Sequence, residues 1–177
     1  ESVDFLHEIK CDIYKIASFD LVNKNLLKKI GSIKKPVILS TGMSNLDEIK
    51  IAFDILQENT HKIALLHCIS AYPTKEINAN LLAISKLKES FNCVIGHSDH
   101  TNGIKVPLLA VAAGAQVIEK HFKIDQSMEC VDESVSITEL QLRELVLGIR
   151  EIEDIFGNGF LGITDAQKEI LKFRRFS

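Results

Sequence analysis

Cys93-Val-Ile-Gly-His-Ser-Asp-His-Thr101, then a helical pattern over 106–113, Gly114, and Gln116-Val-Ile-Glu-Lys-His-Phe122 together form one β-α-β unit. The runs 93–96 and 116–120 are short and centred on apolar pairs, Val94-Ile95 and Val117-Ile118, as buried parallel strands are. Between them Val106, Leu109, Ala110 and Ala113 recur at helical steps and give a small-residue face that can lie close on a sheet. Gly114 stands where that helix should stop. Two strands joined this way run parallel with a right-handed crossover.

The unit repeats toward the N-terminus. Strand-like runs occupy 13–17, 36–40 and 63–68, so five strand starts recur roughly every 24 to 30 residues. Helical periodicity fills the gaps: Leu46, Ile49, Phe53 and Leu56 in one, Leu81, Ile84, Leu87 and Lys88 in another. A helix-like segment opens the chain at 2–9, and Leu140, Leu142, Leu145, Ile149 and Ile152 mark a long last helix. Ser44-x-x-Asp47, Thr138-x-x-Gln141 and Thr164-x-x-Gln167 read as capping boxes, and Gly31 as a helix stop.

A parallel βα repeat suits an open doubly wound sheet or a (β/α)8 TIM barrel. No Gly-x-Gly-x-x-Gly follows any strand, which removes the strongest sign of a dinucleotide-binding sheet. Five βα units are three short of a barrel, which typically needs about 250 residues. The chain opens at Glu1 and not at Met. The expectation is therefore a partial barrel cut from a longer protein and lacking its first three strands.

The 177 residues are 46% apolar and 25% charged with a net charge of −3, so no basic field recommends a nucleic-acid partner. No stretch approaches the ~20 apolar residues of a membrane helix, and the opening residues do not read as a secretory leader. Cys11, Cys68, Cys93 and Cys130 lie far apart without a C-x-x-C pair, which suggests reduced thiols in a cytoplasmic protein.

Both architectures place their sites at the carboxyl ends of the strands. There the sequence is polar each time: Lys15-Ile-Ala-Ser18-Phe-Asp20, Ser40-Thr-Gly-Met43, His67-Cys-Ile-Ser70-Ala-Tyr72-Pro-Thr74, Gly96-His-Ser98-Asp-His100-Thr101 and Glu119-Lys-His121-Phe-Lys123. Hydroxyls and lysines converging on one mouth suit a phosphorylated or anionic substrate. His100 and His121 close consecutive strands, which lie about 5 Å apart. As a pair they are either metal ligands with open positions beside them or ordinary strand-end histidines bonded to backbone. Lys15 within an apolar strand either pairs with a carboxylate or holds an anion. Lys120 is similar, although strand parity turns it away from His121. A Schiff-base role for either lysine is open. Asp99 orients a loop or an imidazole, or caps a helix. His7, His61 and Lys34-Lys35 read as solvated surface, and His67 and His97 as ambiguous.

Read together, Lys15-Ile-Ala-Ser18, Pro36-Val-Ile-Leu-Ser40-Thr-Gly-Met43, Leu66-His-Cys68 with Ala71-Tyr-Pro-Thr74, Gly96-x-Ser98-Asp-His-Thr101 and Val117-Ile-Glu-Lys-His-Phe122 resemble the sialic acid synthase family. The likeness runs along essentially the whole chain. It implies a (β/α)8 barrel covered here from about the fourth to the eighth strand, over 1–163. The tail 164–177 would lead toward a missing antifreeze-like C-terminal domain that caps a partner's barrel in a homodimer. It implies condensation of phosphoenolpyruvate with an N-acetylated amino-sugar aldehyde to a nine-carbon 2-keto sugar acid, with release of phosphate.

By the same resemblance His100 and His121 are the metal ligands, normally for manganese (Mn2+). Lys15, Ser18, Ser40 and Ser98 hold phosphoenolpyruvate, with Ser70 where many members have asparagine. Asp20 stands where a glutamate usually meets the sugar, and Tyr72 and Asp132 match further substrate-side positions. Met128-Glu-Cys-Val-Asp132 departs from the common Pro-Gly-Pro-Asp run, so the identity of the sugar is open. Rival expectations are a non-catalytic metal- or phosphate-binding barrel fragment, a Schiff-base aldolase on the same fold, and a related synthase for legionaminic, pseudaminic or spore-coat sugars. The isolated chain is expected to be inactive and prone to aggregate.

Overall fold

The structure is a computed structural model that describes residues 1–175. Helix α1 (Ser2–Glu8) precedes five βα steps: β1 (Tyr14–Ile16), α2 (Lys24–Ser32), β2 (Val37–Ser40), α3 (Leu46–Gln57), β3 (Ile63–Cys68), α4 (Leu82–Ser90), β4 (Val94–Asp99), α5 (Lys105–Ala112), β5 (Ile118–Lys120) and α6 (Glu139–Phe156). The strands form one sheet in the order β1-β2-β3-β4-β5. Each pairs parallel with the next. A doubly wound sheet reverses its strand order at a switch point, and this sheet does not. Sequential winding makes it a five-stranded half-barrel.

The helix-facing side of the sheet carries Tyr14, Ile16, Val37, Leu39, Ile63, Leu65 and Ile95, all buried. Leu27 and Ile30 of α2, Ala52 and Leu56 of α3 and Ile84 of α4 close over them in one core. Phe53 and Phe91 add a tilted ring pair at 5.1 Å, within the range aromatic contacts favour. The concave side is more open at its amino end, where Ile13 and Val94 are half exposed. β1 and β5 have a strand neighbour on one side only among the described residues. Just beyond β5, Phe122 and Ile137 form a single parallel bridge that returns the chain toward α6.

The capping boxes at Thr138/Gln141 and Thr164/Gln167 are present. The one expected at Ser44/Asp47 lies one residue on: Asn45 Oδ1 accepts from the Glu48 amide and Glu48 Oε2 accepts from the Asn45 amide. Ser44 is drawn away because its hydroxyl donates back to the Gly42 carbonyl. Gly31 does not end its helix, since α2 runs to Ser32 and Lys34 takes the left-handed conformation that terminates it. Gly114 does follow α5, at φ +99°.

β4 is longer than its apolar run, because His97, Ser98 and Asp99 continue as buried strand residues. The four cysteines are free thiols. His7 and His61 are on the surface. No helix among the described residues is long and apolar enough to cross a membrane. The tail forms an exposed 3-10 helix over Asp165–Phe173, while Phe176 and Ser177 lie outside the described residues.

Candidate active site

Register decides which side chains share a face. Lys15 lies opposite Ile38, Ser40 opposite Leu66, Cys68 opposite Ser98, and Ser98 opposite Glu119. Strand neighbours in register point the same way, and residues two apart share a face. Lys15, Ser40, Cys68, Ser98 and Glu119 therefore converge on the concave side at the carboxyl ends. One cleft is lined by these five with Ser18, Phe19, Ser70, Tyr72, His100 and His121.

Lys15 Nζ donates to Ser40 Oγ at 2.8 Å and lies 3.4 Å from Glu119 Oε1. Ser98 Oγ donates to the same carboxylate oxygen, reaching Glu119 Oε1 at 2.7 Å. The two expectations for Lys15 thus meet, since its ammonium has a carboxylate partner and still faces a cleft of hydroxyls. Ser18 Oγ accepts from the Gly42 amide at 2.9 Å and sits 3.1 Å from Cys68 Sγ. Gly42 is needed there: a Cβ would lie 2.3 Å from Ser70 Oγ, inside any tolerable contact. Two cations or more donors than acceptors would be ordinary at an anion site; here a carboxylate is built in beside the lysine.

At the rim, the His100 and His121 rings are 5.4 Å apart between centroids and tilted by 60°. His100 Nδ1 is 2.7 Å from the Ile69 carbonyl oxygen. A carbonyl can only accept, so Nδ1 carries the proton and Nε2 keeps its lone pair. His121 Nδ1 faces Asp132 Oδ2 at 3.5 Å, which favours the same tautomer. Burial lowers the His100 pKa, with the neighbouring His121 charge acting in the same direction. Tyr72 packs on the His100 ring at 4.1 Å and meets the His121 ring edge-on at 5.7 Å. Burial, then the negative groups Cys68, Asp132 and Glu119, raise the Tyr72 phenol, so it stays a hydrogen-bond donor.

Two imidazoles with free Nε2 lone pairs suit a divalent transition metal. Among the described residues no group of three or more His, Cys, Asp or Glu is placed to hold a metal. A cation held by this pair would keep open positions, as catalytic sites do and structural ones do not.

Eight of the ten residues expected at the site line the cleft. Asp132 does not line it but reaches it through His121. Asp20 sits in the short turn Ser18–Asp20, where Phe19 forms the cleft wall. Glu119 was not expected as a site residue; its place opposite Ser98 and two before His121 was the available signal.

Lys120 is not in the cleft. Its register partner is Asp99, on the helix-facing side, and its Nζ lies 2.6 Å from Asp99 Oδ2 with both side chains buried. This removes it as a Schiff-base candidate. Asp99 also accepts from the Thr101 amide and hydroxyl and lies 3.4 Å from His97 Nε2. Burial would raise the Asp99 carboxyl, but hydrogen bonds from His97, Lys120 and Thr101 outweigh it and hold the pKa low. The ambiguous histidines belong to this side too. His97 Nδ1 bonds the His67 carbonyl at 2.9 Å and His67 Nε2 bonds the Ala79 carbonyl at 2.8 Å.

The NeuB family model matches residues 1–160. An N,N'-diacetyllegionaminic acid synthase of Campylobacter jejuni is 42% identical over 180 residues, covering 100% of this chain and 54% of that protein. The mouse N-acetylneuraminate-9-phosphate synthase is 35% identical over 158 residues, covering 89% of this chain and 44% of that protein. A crystal structure of the N-acetylneuraminic acid synthetase of Leptospira borgpetersenii, in complex with citrate, superposes with a TM-score of 0.92 at 40% identity. That match covers 97% of this chain and 60% of the other. The chain spans about half the length of the curated relatives it matches.

Proposed function

We propose that this chain, which belongs to the NeuB family, carries the phosphoenolpyruvate and metal side of a synthase that makes a nine-carbon 2-keto sugar acid. The co-substrate is an N-acetylated amino sugar in its open-chain aldehyde form. The observation that carries the reading is the placement of two imidazoles with free Nε2 atoms at one rim, beside the Lys15–Ser40 anion cradle. Names of relatives support the substrate class.

The overall reaction joins C3 of phosphoenolpyruvate to the aldehyde carbon, adds water at C2, and breaks the bond from C2 to the phosphate oxygen. A divalent cation, manganese by family resemblance, held by His100 and His121 would supply Lewis acidity at the aldehyde oxygen. Lys15, Ser18, Ser40, Ser70 and Ser98 would hold the phosphate and carboxylate and keep them in register with the incoming carbonyl. The Ser18–Gly42 contact and the absent Cβ at Gly42 leave room for that anion.

Glu119 is the acceptor nearest this cradle, and we assign it the proton of the water that adds at C2. Tyr72 would donate to the sugar, whose stem its ring orients across both imidazoles. Asp132, 3.5 Å from His121 Nδ1, would hold the His121 tautomer and serve the sugar side. Asp20, half-buried beside Phe19, would meet an outer sugar hydroxyl. The remaining phosphate and proton-handling groups would come from the rest of the barrel, in a cytoplasmic homodimer.

The test follows phosphate release by the full-length protein from phosphoenolpyruvate and a panel of N-acetylated and N,N'-diacetylated hexosamine aldehydes. One aldehyde should support turnover that needs a divalent cation, and His100→Ala and His121→Ala should each abolish it. Undiminished wild-type turnover after complete metal removal would overturn the metal role. A borohydride-trapped adduct on Lys15 would instead favour the aldolase reading.

A further inference from the structure

We propose that Lys120 and Asp99 are positioning residues: their buried ion pair, on the helix-facing side of the sheet, sets the spacing and orientation of His100 and His121 on the other side. The inference rests on the reading of those imidazoles as the metal pair given above.

The pair occupies the last register step between β4 and β5. Ladder pairing ends there, and the two histidines are the next residue on each strand. Backbone pairing alone therefore does not fix how far apart they stand. Lys120 Nζ supplies the missing tie. It bonds Asp99 Oδ2 at 2.6 Å and also donates to the Thr101 carbonyl, so one ammonium grips the residues on both sides of His100. His121 follows Lys120 directly in the chain. Any shift of this lysine relative to Asp99 moves both imidazoles.

The grip is rigid. The side chains of Lys120 and Asp99 are 3% and 0% exposed. Asp99 is further loaded by the Thr101 amide at 3.3 Å and hydroxyl at 3.0 Å. His97, 3.4 Å from Asp99, links the pair to β3 through the His67 carbonyl. A buried ion pair is a poor choice for stability alone, because apolar residues of similar size often serve a core as well or better. Its place behind the two imidazoles accounts for its use here. On the cleft side the Ile69 carbonyl and the Thr74 amide hold His100 from the third strand's loop. The imidazole is thus fixed from two directions; Tyr72 touches both rings on the cleft side, and Lys120 ties the residues on both sides of His100 to the residue before His121 from behind.

Full-length Lys120→Met and the doubly neutral Lys120→Met/Asp99→Asn protein are compared with wild type. Mn2+ affinity is read from the electron paramagnetic resonance signal of free Mn2+. The His100 tautomer is read from long-range proton–nitrogen imidazole spectra of the metal-free protein. Both variants should lose Mn2+ affinity by about 10- to 100-fold, the usual effect of disturbing a group behind a metal ligand. Both should lose the single Nδ1–H signature of His100, while the KM for phosphoenolpyruvate, held by Lys15 and Ser40, moves far less. The double variant should regain thermal stability lost by the single one without regaining Mn2+ affinity, and it decides the matter if the single variant does not fold. Wild-type Mn2+ affinity and an unchanged His100 spectrum in the double variant would overturn the inference. A wild type that binds no Mn2+ would overturn the metal reading instead, and the His100 spectra would still decide whether Lys120 and Asp99 hold that ring.

Discussion

At Gly42 a single methyl group would enter the anion cradle, with a Cβ 2.8 Å from Cys68 Sγ and 2.9 Å from Ser18 Oγ. Gly42→Ala should therefore raise the KM for phosphoenolpyruvate at least about tenfold, equivalent to about 1.4 kcal/mol, with the fold intact by circular dichroism. An unchanged KM would remove Gly42 from the cradle. A second residue-scale outcome concerns His67, whose pKa burial lowers below the ordinary 6.5. Below pH 6.5 the unfolded chain takes up a proton that the native ring refuses, so stability is full above that pH and lost as pH falls below it. Urea midpoints should drop on the acid side, and His67→Gln should flatten the drop; an equally steep drop in the variant would assign it to other groups. Lys15 and the two histidines were legible from their places on and at the ends of the strands, where a parallel βα fold gathers its site, and the serines through the family resemblance. Lys120 was legible only in part: parity turned it from His121, but nothing local revealed that Asp99 would meet it. Glu119 was overshadowed by Lys120 and His121, which follow it, and its partners lie 21 and 104 positions away in Ser98 and Lys15.

The elements were legible wherever apolar periodicity sets them, and less so where polar groups take over. β4 continues through His97, Ser98 and Asp99 because each finds a hydrogen-bond partner on a neighbouring strand, a long-range fact that the local pattern does not hold. The slip from Ser44 to Asn45 at the start of α3 has a similar cause, since the Ser44 hydroxyl has a competing acceptor in the Gly42 carbonyl. Gly96 of β4 packs against the residue before β5, and a Cβ there would lie 2.4 Å from the Val117 carbonyl oxygen and 2.6 Å from Leu66 Cδ2. Gly96→Ala should cost about 1–3 kcal/mol, because backbone on the neighbouring strand has to move. Chemical denaturation measures it, and a loss below experimental error would mean that β5 can yield without strain.

On the scale of the molecule, the five-step repeat made a parallel βα fold readable from the sequence, and the sequential strand order of the structure decides for the half-barrel. Which barrel strands these five are depends on chain that the repeat itself does not contain. β1 and β5 each leave one side without a strand neighbour among the described residues, and the concave face carries half-exposed Ile13 and Val94. Unpaired parallel edges and an open apolar face favour association. The 177-residue chain alone should therefore sediment as species that grow with concentration, and should not turn over phosphoenolpyruvate. A monodisperse, active monomer would show that five strands suffice.

The site itself is most directly tested by anomalous diffraction at the manganese edge, on crystals of the full-length protein grown with Mn2+ and phosphoenolpyruvate. The predicted result is one peak bonded to Nε2 of His100 and Nε2 of His121, with the phosphate held by Lys15 and its serines. A peak elsewhere, or phosphoenolpyruvate bound away from Lys15 with both imidazoles bonded only to protein, would contradict it.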